Sequence, residues 1–327
     1  MRKLTIRFAI AIALLIILTI YAVITGSIPI TVTEFLLGMF NDTNENVQIV
    51  KDLRLPRIII SLLAGASLAV SGVLFQAVMR NPLAEPGIIG VSSGAAFISI
   101  IIISFFPMMF FYVPIFAFIG GFIAFALVYF FSWKSGLNPL RMILIGVAIN
   151  ALFTGLSEIF KISSPSSMMS GVSVSMSTLS MKTWGEVKIM VIYSVIGLVL
   201  AMLVYAWSNH LRLEDKTLKN LGFKTNQARF VISVIAVLLA SIATAIAGMF
   251  LFVGLLVPHI ARALVGTDHK VLIPFSAILG AFLILLADTL GRLVLAPIEI
   301  PASILLSVIG GPFLIFLLRK SERIYGS

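Results

Sequence analysis

The chain of 327 residues is 60% hydrophobic and 11% charged, with a net charge of +10 and a mean hydropathy of +1.14. A water-soluble domain of this length cannot hide that much apolar surface in one core, so the composition excludes a soluble enzyme or carrier and points to an integral membrane protein. Cysteine is absent, which removes disulfides, thiolate metal sites and cysteine nucleophiles.

The N-terminal MRKLTIR resembles a signal-peptide n-region. The apolar run from Phe8 to Ile24 is long, however, and no small-residue cleavage site follows it, so a retained helix is expected. Ten stretches approach the ~20 apolar residues that one helix needs to cross the hydrocarbon layer. They are 5–25, 57–79, 87–106, 112–132, 140–160, 187–207, 229–247, 249–265, 271–290 and 303–319. The expected fold is all-α and polytopic, with 1–327 as a single transmembrane domain. A cytoplasmic N-terminus leaves Lys51, Arg54, Arg57, Lys161, Lys182, Lys188 and Arg292 outside and the other 16 of the 23 Lys and Arg inside. The bias favours that orientation, with both termini in the cytoplasm, and accounts for the basic charge without nucleic acid.

Three connecting segments are long enough to have work of their own. The outer segment 26–56 has room for a short surface helix, and the outer segment 161–186 is rich in Ser and Met. The cytoplasmic segment 208–228 sets Leu211, Leu213, Leu218 and Leu221 among charges, which predicts a short amphipathic helix stopped by Gly222. Between spans two and three lies a polar elbow, RNPLAEPGIIG, in which Arg80, Asn81 and Pro82 open a cytoplasmic turn. Pro82 and Pro86 end one helix and restart another. Spans two, seven and nine are dotted with Gly, Ala and Ser, which predicts central, closely packed helices. LLAGASLAVSG (62–72) and LLASIATAIAG (238–248) form a weak internal repeat on spans of opposite direction, as in inverted-repeat transporters.

No G-x-x-x-x-G-K-[ST] loop is present, so the chain does not bind ATP by that route. The histidines, His210, His259 and His269, lack metal-pair spacing and read as helix-end residues. Asp288 near the outer end of span nine stands four residues before Arg292, and Glu158 three before Lys161; both read as local ion pairs. A proton- or sodium-coupled carrier calls for acids near the midplane, and the spans supply none.

LRLPR (53–57), LAGASLAVSG (63–72), Q-x3-RNPLAEPGIIG with GVSSGA (90–95), and GLLVPHIARALVGTDHKVLIPFSAILGA (254–281) followed by ADTLGR occur in that order. In these motifs the chain resembles the FecCD family, the permeases of binding-protein-dependent ABC importers for iron–siderophores, haem and cobalamin. The resemblance runs from about residue 20 to 320. It implies the type II ABC importer permease fold, with ten transmembrane helices per subunit and a homo- or heterodimer of permeases around one pathway. It also implies two ATP-binding subunits below, which use ATP and Mg while this chain binds no cofactor, and an extracytoplasmic substrate-binding protein above. The location implied is the bacterial cytoplasmic membrane.

Residue by residue, the resemblance implies that Arg54 and Arg57 receive acidic residues of the binding protein, and Arg292 lies on the same side. Headgroup anchoring is the plainer role for these arginines. A cytoplasmic constriction is implied at Asn138, Pro139 and Leu140, where Asn-Pro equally makes a simple turn. The coupling to the ATPase is implied at Leu211, Leu213, Leu218 and Leu221, bent at Gly222. A helix lying on the lipid surface is the alternative, though the mixed charge of Arg212, Glu214, Asp215 and Lys216 fits it poorly. The chain departs from the family where a W-x-x-G-S element is expected after span five, and at Glu299-Ile300-Pro301-Ala302-Ser303, which lacks the glycine of E-x-P-x-G. Both departures resemble the haem-permease branch. The rival to an importer permease is an ion-coupled secondary transporter of a small solute. An intramembrane enzyme has no motif here to support it.

Overall fold

The computed structural model describes residues 2–26, 30–38, 45–133, 139–163, 179–296 and 298–325. Its α-helices in chain order are α1 (Arg2–Ile24), α2 (Val32–Gly38), α3 (Glu45–Ile49), α4 (Leu55–Met79), α5 (Val91–Phe105), α6 (Val113–Trp133) and α7 (Pro139–Ser163). They continue with α8 (Trp184–Leu203), α9 (Tyr205–His210), α10 (Asp215–Asn220), α11 (Thr225–Ala247), α12 (Val253–Val265), α13 (His269–Leu293) and α14 (Ala302–Tyr325). A π-helical turn, Val50–Arg54, leads into α4, and a 3₁₀ turn, Pro107–Tyr112, leads into α6. There is no strand among the described residues. Seven helices are long and apolar enough to cross a bilayer, and three shorter apolar ones (α5, α12 and the 302–315 part of α14) complete the ten expected spans.

α4 is the central helix. It packs against α13, α11, α12 and α8, and nearly every residue from Ile58 to Met79 is buried. Small residues make this possible. A β-carbon at Gly65 would lie 2.1 Å from the Gly280 carbonyl oxygen, and one at Gly72 would lie 2.0 Å from that of Gly254. The backbones of α4, α13 and α12 therefore touch directly, which replaces side-chain interdigitation with backbone contact. The Ser71 hydroxyl donates to the Ala236 carbonyl at 2.7 Å across the α4–α11 crossing. The small-residue spans are thus central, as expected, whereas α1 and α7 are mostly exposed.

The elbow departs from a simple turn. α4 stops at Met79, with Arg80 in the left-handed region (φ 49°), and α5 starts only at Val91, after Gly90 at φ 86°. Ala84 to Gly87, with Ile89 and Gly90, are buried, so this half of the elbow folds back into the bundle. Gly146 of α7 meets the Ile88 carbonyl there. α12 begins in the same way, after Phe252 at φ 68°. The elbow meets the start of α12: Glu85 Oε1 accepts from the Phe252 N–H at 3.1 Å, and a β-carbon at Gly254 would lie 3.0 Å from Pro86 Cδ. A phenylalanine in the left-handed region costs about 1–3 kcal/mol. Glu85 holds its backbone and Gly310 leaves room for its ring, since a β-carbon at 310 would lie 2.3 Å from Phe252 Cγ.

The segment 208–228 is also not the single amphipathic helix its leucines suggest. Glu214 is extended (ψ 147°) and confines the helix to Asp215–Asn220, with Leu211 and Leu213 in the preceding turn. Gly222 ends it as expected. At φ 71° its N–H donates to the Lys219 carbonyl at 3.0 Å, and that of Phe223 donates to Leu218 at 2.9 Å, a Schellman closure. The segment 26–56 does hold short helices, α2 and α3. Thr31 and Glu34 cap α2 reciprocally, at 2.8 and 3.2 Å.

Candidate functional site

The polar chemistry concentrates at the two ends of α4, roughly 37 Å apart by helix rise. At its N-terminal end the Arg57 guanidinium forks onto Asp288 of α13, with Nε 3.0 Å from each carboxylate oxygen and Nη2 2.8 Å from Oδ1. Its Nη1 reaches Glu299 Oε2 at 2.9 Å, and the Ser180 hydroxyl donates to the same oxygen at 2.9 Å. The sequence-expected i,i+4 partner Arg292 lies 3.5 Å from Asp288 and donates to the Ala22 carbonyl at 3.4 Å. Arg57, 231 residues away, is thus the main partner of Asp288. Arg54 donates to the Val23 carbonyl at 2.6 Å. The three arginines with Ser180 and Glu299 line a cavity of about 500 Å³.

The structure therefore brings Arg54, Arg57 and Arg292 together as the sequence grouped them, and all three are already engaged within the chain. The Arg57 and Arg292 side chains are 11% and 8% exposed. Glu299 stands in the loop after α13. Burial pushes its carboxyl up, and the charge and hydrogen bond of Arg57, the Ser180 hydroxyl and the charge of Arg292 outweigh that and hold it below the usual range.

At the C-terminal end of α4, Arg80 Nε donates to the Leu211 carbonyl at 2.7 Å and its Nη2 to the Leu213 carbonyl. The same Nη2 pairs with Asp215 Oδ1 at 2.8 Å, and Arg229 Nη2 approaches that oxygen at 3.0 Å. The elbow is thus tied to the segment 211–215 through one side chain. Within that segment Leu211 and Leu218 are buried, while Leu213 and Leu221 are 43% and 69% exposed. Of the remaining elbow residues, Asn81 Oδ1 accepts from the Leu83 N–H at 2.9 Å and Pro82 is exposed.

Pro139 and Leu140 open α7, although their side chains, like all of Asn138, lie outside the described residues. So does most of the Ser/Met-rich segment, 164–178, and with it the missing W-x-x-G-S element; the Lys161 side chain of the expected pair with Glu158 lies outside too. Three histidines have ordinary partners. His269 Nδ1 stands 2.8 Å from Asn209 Oδ1, His210 packs on Phe223, and His259 packs on Phe313. No cluster able to hold a metal ion occurs among the described residues.

Sequence reasoning missed two internal groups: the Gln76 side chain, which donates to Gly254 at 3.1 Å and accepts from Arg262, and the Glu85–Phe252 contact. The sequence held half a signal for the second, since an acid between two prolines in an apolar context needs a donor.

The model of the FecCD transport family matches residues 14–320. The chain belongs to the FecCD transport family. It is 42% identical over 300 residues, 92% of its own length and 91% of the relative's, to a protein named as probable heme-iron transport system permease protein IsdF of Staphylococcus aureus strain MSSA476, and equally to that of strain Newman. Among solved structures this FecCD chain is similar to a transporter assigned to the metal-chelate ABC type, in an inward-facing conformation. That match has 32% identity and a TM-score of 0.81, and covers 97% and 99% of the two chains. A second match, to PsaBC from Streptococcus pneumoniae in complex with Fab, has 16% identity and a TM-score of 0.59, covers 88% and 95%, and shares the fold alone. The chain is a multi-span membrane permease with the fold of an ABC transporter's membrane subunit.

Proposed function

We propose that this chain is the permease subunit of an ATP-driven importer that carries an iron complex, haem, across the bacterial cytoplasmic membrane. The observation that carries the reading is the 42% identity, over more than nine-tenths of both chains, to a protein named as a heme-iron permease. The chain itself supplies the path and not the energy. ATP and Mg belong to two partner subunits, a second permease completes the pathway, and an extracytoplasmic protein delivers the substrate. The Lys and Arg bias supports an orientation with the elbow and the segment 208–228 in the cytoplasm and the Arg57 end of α4 outside.

In this reading the ATPase docks on the segment after α9, with Leu213 and Leu221 as the partner-facing leucines, while Leu211 and Leu218 anchor the segment to its own subunit. Arg54, beside the outer cavity, meets an acidic side chain of the delivery protein. Such a charge pair sets orientation and association rate more than affinity. Asn138, Pro139 and Leu140 form the narrow cytoplasmic end of the path.

The test is uptake in a strain lacking this gene, complemented with the chain. Haem uptake is expected to depend on it, and ferric siderophore uptake is not. Dependence of siderophore alone would overturn the substrate, and of neither, the function. For the gate, cysteines at position 139 of both copies are expected to crosslink at rest and block uptake; a free pathway after crosslinking would sink that assignment.

A further inference from the structure

Next to Arg80, between α6 and α11, lies a pair of adjoining cavities. The smaller, about 330 Å³, is polar at its mouth, where Arg80, Asp215 and Arg229 meet Tyr129. The larger, about 490 Å³, shares Phe125, Tyr129 and Arg229 with it and continues along Phe122, Phe130 and Phe230. Arg229 lies in the second turn of α11, so the polar part sits near the helix end and the aromatic part runs toward the middle of the span.

Two buried polar atoms in the lining have no partner among the described residues. Arg229 gives Nη1 and Nη2 to Asp215 at 3.3 and 3.0 Å, but its Nε is buried and unbonded. One helical turn on, Ser233 is 1% exposed and its hydroxyl is also unbonded. Leaving such donors unpaired is costly, and both line the larger cavity. Two arginines against one aspartate leave the mouth positive. The aromatic wall opens outward, with Phe130 69% and Phe230 58% exposed on helices that cross the membrane.

We propose that this groove holds one anionic phospholipid of the cytoplasmic leaflet, with its phosphate at Arg229 and Arg80 and an acyl chain along Phe122, Phe125 and Phe230. A donor-rich, positive mouth above an apolar trough is the arrangement such a headgroup and tail require. A free phosphate has no use for the trough, and a peptide segment would bring its own amides into an aromatic channel that offers them little. Because the phosphate competes with Asp215 for both arginines, the lipid sits directly on the joint between the elbow and the coupling segment. The leaflet, though not the site, rests on the orientation given above.

The test is native mass spectrometry of the full-length permease extracted from membranes containing phosphatidylglycerol and phosphatidylethanolamine. The wild type is expected to retain phosphatidylglycerol in preference. Arg229→Gln removes a headgroup contact and Ala126→Trp blocks the exposed trough without changing charge; each is expected to lower retention about five- to tenfold. Asp215→Asn breaks the same ion pair as Arg229→Gln but frees both arginines, so retention is expected to hold or rise. Unchanged retention in Arg229→Gln and Ala126→Trp, equal retention of phosphatidylethanolamine, displacement by inorganic phosphate, or loss in Asp215→Asn as severe as in Arg229→Gln would each overturn the proposal. A Leu213→Cys variant labelled only from the inner side checks the orientation separately from lipid retention.

Discussion

At the N-terminal end of α4, Arg57 meets two carboxylates contributed from 231 and 242 residues away, and the guanidinium and Asp288 are 11% and 2% exposed. At the other end, Arg80 meets two carbonyls and a carboxylate of the segment 211–215, and the pair is 31% and 47% exposed. One helix thus carries two arginine centres of opposite character. The first staples α4 to α13 and to the loop before α14 in a water-poor site, where a missing partner leaves an unpaired charge. The second holds a short peripheral segment by contacts that water can replace. Under the proposed function, the first end would keep the helix packing and the second would let a pull on the loop reach the helix.

The comparison breaks most sharply at Arg57. Arg57→Ala leaves Asp288 buried beside a weaker partner, and breaking such a pair costs about 3–5 kcal/mol. The detergent-solubilised permease is expected to lose most of its thermal stability. Arg57→Lys should recover part of it, since an ammonium supplies charge without the fork. An Arg57→Ala protein that melts like the wild type would remove the staple from the account.

Next in size comes the pair Leu218 and Leu221. The Leu218 side chain is 1% exposed, so Leu218→Ala is expected to destabilise the permease itself by about 2–5 kcal/mol. Leu221 is 69% exposed, and Leu221→Asp should leave the melting temperature in place while the ATPase subunits are lost on purification. Retained ATPase in Leu221→Asp would move the coupling contact elsewhere.

Arg80→Ala follows, with an expected stability loss of about 1 kcal/mol because its bonds are partly solvated. Its larger effect should be functional: uptake falls while ATP hydrolysis by the assembled complex continues, the signature of a joint cut between motor and helix. Equal loss of hydrolysis and uptake would make Arg80 a docking residue instead.

Much of this arrangement was legible in the sequence, for reasons that differ by element. The ten spans follow from hydropathy because a helix satisfies all its backbone groups within one apolar stretch, and the small residues of 62–72 and 271–281 announce close crossings that Gly65–Gly280 and Gly72–Gly254 then make. Grouping Arg54, Arg57 and Arg292 on one side followed from topology alone. The pairing of Arg57 with Asp288 was not legible, because helix periodicity offered Arg292 at i+4 and no local rule points across 231 residues. The leucines of 208–228 misled in another way. Their spacing fits one helix, but Glu214 is extended and breaks it, and on each side of the break one leucine is buried and one exposed. The buried half of the elbow was hidden by its composition, since an asparagine, a glutamate and two prolines read as a surface turn until Phe252 supplies the donor that lets Glu85 go inside.

The smallest effect expected is that of Glu299, which belongs to the Arg57 centre but resembles the Arg80 one in its exposure, 45% for the side chain. Its carboxyl is held below the ordinary value of 4.5 despite its burial, chiefly by Arg57. A carboxylate depressed in the folded state contributes stability that is fully present above the unfolded value and is lost as pH falls through the folded one. The wild-type melting temperature is therefore expected to decline below about pH 4.5, with Glu299→Gln showing a flatter decline and a difference above pH 5 of no more than about 1 kcal/mol, because the pair is solvent-screened. If Glu299→Gln matched Arg57→Ala in cost, the whole Arg57 centre would be one buried network, and Glu299 would have to be counted with Asp288 as part of the staple. If it cost nothing at any pH, the guanidinium's second contact would be a surface decoration, and the fork on Asp288 alone would fix that end of α4.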